Sequence, residues 1–375
     1  MKRRSALWTL VGAGSIGIRA GLNGGKAGLI GAAAPAIITA ESLRPGIPCG
    51  AMVGDPASDP LGIPHGLSAL IWSRTDRPAT MEVEYATRAD FQQSVKRKGP
   101  VAVPEAGFTT RLELTGLRPG VDYFYRVTFT DGSARSEPFT GRFRTPGGAV
   151  DAKPRGVRLL WSGDTCGQGY GINRDWGGMR IYEAMRQRQP DFFIHSGDTI
   201  YADNPIPREI ALKDGSVWRN IVTEAKSRPA KSVEDFRGAH AYNFLDTNLR
   251  RFHAEVPQVW QWDDHEFRNN WSPGNVEGSA AARQAFREFA PMRMRAGVDR
   301  IYRKISYGPL VDVFVVDMRS YRAANNFNRQ EKEGPDTVYM GSAQLDWLAK
   351  GLAASRAKWK VVAADMPISL LVADG

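Results

Sequence analysis

The chain has 375 residues, 42% apolar and 24% charged, with ten tryptophans and sixteen phenylalanines. That supplies a sizeable core and excludes a disordered polypeptide. The formal charge of +10 is uneven: five basic and no acidic residues fall in the first 40, leaving about +5 on the rest. A body so weakly basic argues against nucleic-acid binding, and two cysteines, Cys49 and Cys166, do not make a disulfide framework.

The chain opens "MKRRSALWTLVGAGSIGI", basic residues followed by an apolar stretch. Residues 1–40 resemble a twin-arginine export signal built on Arg3 and Arg4, with small residues suited to cleavage at Ala32–Ala34 or Thr39–Ala40. The competing reading is a retained anchor, but Arg19 and Lys26 interrupt the apolar run short of the ~20 residues a span requires. The expectation is a periplasmic or secreted protein that meets the twin-arginine export machinery and has no stable membrane span after processing.

Residues 45–146 read as all-β. "GLSALIWSR", "ATMEVEYAT", "TTRLELTGL", "YFYRVTF" and "GRFRTP" are β-forming runs separated by Gly, Pro and Asp. Within them Tyr123, Tyr125, Val127 and Phe129 alternate onto one face. "LRPGVDYFYRV" is similar to the turn and strand of fibronectin type III domains, which predicts a fibronectin III/Ig-like sandwich. "KRKG" at 96–99 reads as loop, and 146–156 as a linker.

From Val157 the pattern turns α/β. "VRLLW", a helical stretch with Met179, Tyr182 and Met185 on one face, and "DFFIH" form a βαβ unit with parallel strands. A polar insertion spans 204–255, with Ser232 and Asp235 spaced as a capping box. Strands are expected at 258–262, 311–316 and 360–364, and a helix at 342–355.

"SGDT" occurs twice, at Ser162–Thr165 and Ser196–Thr199, each time just after an apolar run. A solenoid repeat is disfavoured, because the flanking residues do not match. In a parallel sheet, ligands bind beyond the carboxyl ends of strands, so adjacent strands bring Asp164 and Asp198 to one edge. A third strand end, "WDDHEFRNNW", adds Asp263, Asp264, His265 and Glu266. Carboxylates that close repel unless a proton or cation lies between them. Hard oxygen ligands suit a hard cation, and imidazole, thiolate or phenolate suit iron or zinc.

These motifs resemble calcineurin-like metallophosphoesterases. The variants "DTC", "GDTIY" and "DDHE", with "VVDMRSYR" and "MGSAQLDWL", resemble the alkaline phosphatase D (PhoD) family across residues 45–370. The resemblance implies an α/β metallophosphoesterase-like layered fold over 157–375 behind the sandwich. It also implies hydrolysis of phosphate mono- or diesters for phosphate acquisition. By the same resemblance Asp164, Cys166, Asp198, Tyr201 and Asp264 would hold Fe3+ and Ca2+, or other divalent metals. Asp198 would bridge two ions and Tyr201 would bind ferric iron. His265 would donate a proton to the leaving oxygen, and Asn270, with Asn269 and Arg319 beside it, would touch phosphate. Open alternatives are a buried apolar role for Cys166, structural ion pairs for Arg319 and Arg322, a structural role for Asp263, and packing roles for His240 and His253. The family supplies further histidines near its carboxyl terminus, and none follows His265 here. The sequence therefore reads as a C-terminally truncated form that binds metal weakly, or as a catalytically impaired exported module with a binding role.

Overall fold

The computed structural model describes residues 43–58, 67–148, 155–273, 279–294, 297–326 and 329–367. The segment read as an export signal lies outside them, as do 149–154 of the expected linker and 368–375. No helix among the described residues is long and apolar enough to cross a membrane.

Eight strands come first: β1 (Ala51–Ser58), β2 (Leu67–Arg74), β3 (Ala79–Ala86), β4 (Val95–Ala102), β5 (Thr109–Leu117), β6 (Asp122–Asp131), β7 (Ala134–Arg135) and β8 (Phe139–Arg144). The alternation expected in β6 holds, with Tyr123, Tyr125, Val127 and Phe129 buried. "KRKG" is not loop but part of β4, the end strand of the sheet β4-β3-β6-β7, to which β8 adds on β6. Its polarity is that of a solvated edge, where lysines block further pairing. Val53, Ile71, Met81, Val83, Leu114, Tyr125 and Phe129 fill the space between this sheet and β5-β2-β1.

That second sheet does not stop at β1. Its full order is β5-β2-β1-β13-β10-β9, with β1 parallel to β13 (Gln258–Gln261) at Gly54↔Gln258. The chain at Pro291 also approaches this strand closely: a Cβ on Gly54 would lie 1.7 Å from Pro291 O. Side chains bind the seam as well. Trp72 Nε1 donates to Glu288 O at 2.7 Å and its ring stacks on Phe244, 5.6 Å between centroids. Tyr125 Oη donates to Ala254 O at 3.0 Å, and Arg303 pairs with buried Asp55 at 2.8 Å.

The expected βαβ unit is β9 (Leu159–Ser162), α1 (Arg180–Gln187) and β10 (Phe192–Ser196). Its strands are parallel, in register from Phe192↔Leu159 to His195↔Ser162. The polar insertion holds a hairpin, β11 (Glu209–Ala211) and β12 (Val217–Arg219), then α2 (Val233–Asn243) and α3 (Thr247–Glu255). The capping box opens α2: Asp235 N donates to Ser232 Oγ and Ser232 N to Asp235 Oδ2. After β13 come α4 (Ser279–Phe289), β14 (Arg303–Tyr307), β15 (Val311–Val315), α5 (Ser342–Ala354) and β16 (Trp359–Ala363). The last three strands form the sheet β14-β15-β16. Its Ile305, Val313 and Val315 pack on Phe192, Ile194 and Val259 of the long sheet. Phe193 points the other way, into the helical layer with Tyr182, Phe252 and Trp260. The long sheet is thus covered on both faces, which leaves its strand ends as the place for polar chemistry.

Candidate active site at the carboxyl ends of the parallel strands

β9, β10 and β13 are adjacent and parallel, so the residues after them emerge at one edge. The two SGD turns lock together through the backbone: Asp164 N donates to Gly197 O at 3.3 Å and Thr165 N to Asp198 O at 2.9 Å. The backbone here is strained. Asp164, Cys166, Gln168, Asp198 and Asn270 all have positive φ, between 51° and 61°. Such conformations cost about 1–3 kcal/mol each and cluster where function fixes the geometry. The two glycines differ. Gly197 has φ +95°, and a Cβ there would lie 2.5 Å from Asp263 Cβ. At Gly163 the nearest atom would be 3.4 Å away, and Asp164 itself makes the turn.

Ligand atoms of Asp198, Asp264 and His265 lie within 4.8 Å of one another. His265 N donates to Asp198 Oδ1 at 3.1 Å. Tyr201 Oη donates to Asp164 Oδ1 at 2.5 Å, and its ring stacks on His265 with centroids 4.1 Å apart. Asp203 fixes the imidazole: its Oδ1 is 2.7 Å from His265 Nδ1, while its Oδ2 accepts from Asn269 N at 2.7 Å. This leaves Nε2 as the nitrogen without a carboxylate partner. Beneath the group sits Glu266, fully buried. It accepts from Asp198 N (3.2 Å), Thr199 N (2.7 Å), Thr199 Oγ1 (2.7 Å) and Asp263 N (2.9 Å).

The charges are unbalanced. Burial, then Glu266, Asp263 and Asp264, push the Asp198 carboxyl up to about 10. Burial likewise takes Glu266 up to about 7 and Asp263 to about 6, the latter against the opposing charge of Arg319. Asp365, hydrogen-bonded to Met318 N at 3.1 Å, is raised by burial and then by Asp263 and Asp317. Burial alone would lower His265, but the hydrogen bond and charge of Asp203, with Asp264 and Glu266, hold it above the ordinary histidine value. Tyr201 is raised by burial and by its bond to Asp164, so its phenol keeps its proton. Carboxylates crowded to this degree repel unless a proton or a cation lies between them.

The structure therefore brings together Asp164, Asp198, Tyr201, Asp263, Asp264 and His265. Asn270 joins through its backbone, its N–H donating to Asp264 Oδ2 at 2.5 Å. Asn269 is exposed, and its backbone holds Asp203. Arg319 takes the ion-pair alternative, 2.5 Å from Asp263 and 3.5 Å from Asp264. Arg322 lies over the Tyr339 ring. Cys166 is not brought into the group. Its Sγ is 3.9 Å from Met179 Sδ, among Ile172, Ile206 and Tyr242, and burial pushes the thiol up to about 12. These apolar surroundings fit the buried alternative weighed for Cys166. His240 and His253 are buried packing residues; His240 stacks on Phe289 at 5.0 Å. Sequence reasoning missed Asp203, Asp317 and Asp365. Asp203 stood in "SGDTIYAD", five residues after Asp198, and that spacing carries no familiar motif.

An α/β fold with a carboxylate-rich site at three parallel strand ends defines the part of the chain to compare with known proteins. The model of the PhoD-like phosphatase family matches residues 159–375, and that of the family's N-terminal domain matches 32–147. This chain belongs to the PhoD-like phosphatase family. It is similar to alkaline phosphatase D of Bacillus subtilis (strain 168), 29% identical over 348 residues, covering 84% of this chain and 54% of that protein. A solved structure of PhoD superposes with a TM-score of 0.68 at 27% identity, covering 88% of this chain and 63% of the other. The chain thus spans about half the length of the curated relative it matches.

Proposed function

We propose that the chain is an exported, metal-dependent hydrolase of phosphate mono- or diesters, acting in phosphate acquisition. The convergence of Asp164, Asp198, Tyr201, Asp264 and His265 on one sheet edge carries this reading. The donor set fits a metal. It is mostly hard oxygen with one imidazole, and its buried negative charge exceeds what Arg319 offsets. Asp198 and Asp264 would hold one ion, in keeping with Ca2+. Asp164 and the phenol of Tyr201 would hold a second, in keeping with Fe3+. Bound metals supply charge for the phosphate oxygens and a water made more acidic.

The chain's own residues do the rest. Asp203 orients the His265 ring and raises its affinity for a proton, which suits Nε2 to deliver one to the leaving oxygen. Arg319 is buried and anchored on Asp263, so it aligns the strand-end carboxylates rather than reaching for phosphate. Glu266 fixes the backbone of both Asp198 and Asp263. The deciding measurement is metal content together with hydrolysis of p-nitrophenyl phosphate and bis-p-nitrophenyl phosphate by wild type, D164N and D198N. Activity and metal that fall together in both variants support the reading. A wild-type chain indistinguishable from both favours an exported module without turnover.

A further inference from the structure

We infer that His195, which touches none of the site's carboxylates, is a positioning residue that holds the Asp164 turn through Thr165. The inference rests on the metal-binding reading of the site and names a residue outside its ligand set. His195 sits on β10, one residue before Ser196, on the strand face that points into the helical layer. Its neighbours there are Phe193 and Trp260, rings 5.8 Å and 6.1 Å away, and the residue is 2% exposed. An apolar side chain would fill this position without desolvating an imidazole, and burial does hold the ring far down, at about 4. What the imidazole gains is one contact: Nε2 lies 2.8 Å from Thr165 Oγ1.

Thr165 is the fixed point of the first SGD turn. Its hydroxyl also meets Tyr182 Oη at 2.7 Å, and its backbone N–H donates to Asp198 O. The residues on either side, Asp164 and Cys166, are both left-handed, with φ of +61° and +59°. Two strained residues flanking one threonine persist only when the centre is held from several directions. β10 provides that hold twice, through the Asp198 carbonyl and through the His195 ring. The turn in turn aims Asp164, whose Oδ1 accepts the Tyr201 phenol. Removing His195 therefore leaves the Thr165 hydroxyl with Tyr182 alone and loosens Asp164 without touching a ligand.

The test is Mn2+ binding by metal-stripped full chain, followed by calorimetry, for wild type, H195F, T165V, T165S, H240F and the H195F/T165V double variant. Loss of a partner that orients a ligand typically weakens metal affinity about 10–100-fold. H195F and T165V should each fall in that range, T165S should stay near wild type, and the double variant should be no worse than either single one. That non-additivity separates positioning from general loosening of the core. H240F removes another buried imidazole with no bond to the turn and should leave affinity unchanged. If H195F does not fold, T165V against T165S carries the comparison. H195F and T165V binding Mn2+ as wild type does would overturn the inference and leave the metal reading standing. Wild type taking up no Mn2+ would remove both.

Discussion

Substituting alanine for Gly197 probes how tightly the second SGD turn is built. The new Cβ would lie 2.5 Å from Asp263 Cβ, 2.6 Å from Asp263 N and 2.9 Å from Trp262 C. Two of these are backbone atoms at the end of β13, so no side-chain rotation relieves the contact. The residue would also be left at φ +95°. The conformation costs about 1–3 kcal/mol and the displaced strand end about 1–3 more. At about 2 °C per kcal/mol for a domain of this size, the melting temperature should drop by about 4–12 °C. Metal affinity should fall with it, because Asp263 and Asp264 move. G163A is the matched control: its Cβ would meet nothing closer than 3.4 Å and its φ is ordinary. It should unfold within about 1 kcal/mol of wild type, in either direction. Thermal denaturation of the three proteins decides the matter. If G197A melts with wild type, or G163A is equally damaged, the asymmetry drawn between the two turns is wrong.

Three further outcomes follow from the site and the core behind it. Burial depresses His240 to about 3, with Lys226 adding to the effect, so between pH 6.5 and 3 the unfolded chain takes up a proton that the folded chain refuses. That part of the stability is present above pH 6.5 and lost as pH falls; H240F should narrow its gap to wild type, or reverse it, by about 1.4 kcal/mol per pH unit in urea unfolding across that window. Glu266→Gln would replace one carboxylate oxygen by an amide facing two backbone or hydroxyl donors, which should cost about 2–4 kcal/mol in the same assay. Tyr201 holds its proton against Asp164, so if the phenol is a ligand, metal uptake releases that proton. Metal addition in weak buffer should then release about one proton fewer from Y201F than from wild type.

The strand ends were legible because a Gly-Asp pair directly after an apolar run has one economical reading in a parallel sheet. The same logic found β9, β10, β13, β15 and β16, and the capping box that starts α2. Cys166 was left between two roles because spacing along a chain says nothing about which way a turn rolls. Its Sγ lies 3.9 Å from Met179 Sδ, a neighbour that spacing does not reveal. Asp317 and Asp365 escaped notice because each follows a run that reads simply as buried strand. β1 was invisible for another reason: "AMVGDPAS" has no clean alternation, since one edge pairs antiparallel with β2 and the other parallel with β13. "KRKG" failed in the opposite sense, as an edge strand solvated on both faces has the composition of a loop.

The sheet shared by β1 and β13 sets an order of events during synthesis. β1, β2 and β5 are complete once residue 117 has emerged, and the opposing sheet once residue 144 has, yet the parallel partner of Gly54 is Gln258. At ~5–20 residues per second, the roughly 115 residues between the end of β8 and Gln258 take on the order of 6–23 s to translate. Through that interval the nascent chain presents a finished sandwich whose β1 edge has nothing to pair with, and Trp72, which belongs against Phe244, has no partner ring. Ribosome-bound chaperones thus have a defined window in which to act on this protein, one that closes when β13 docks.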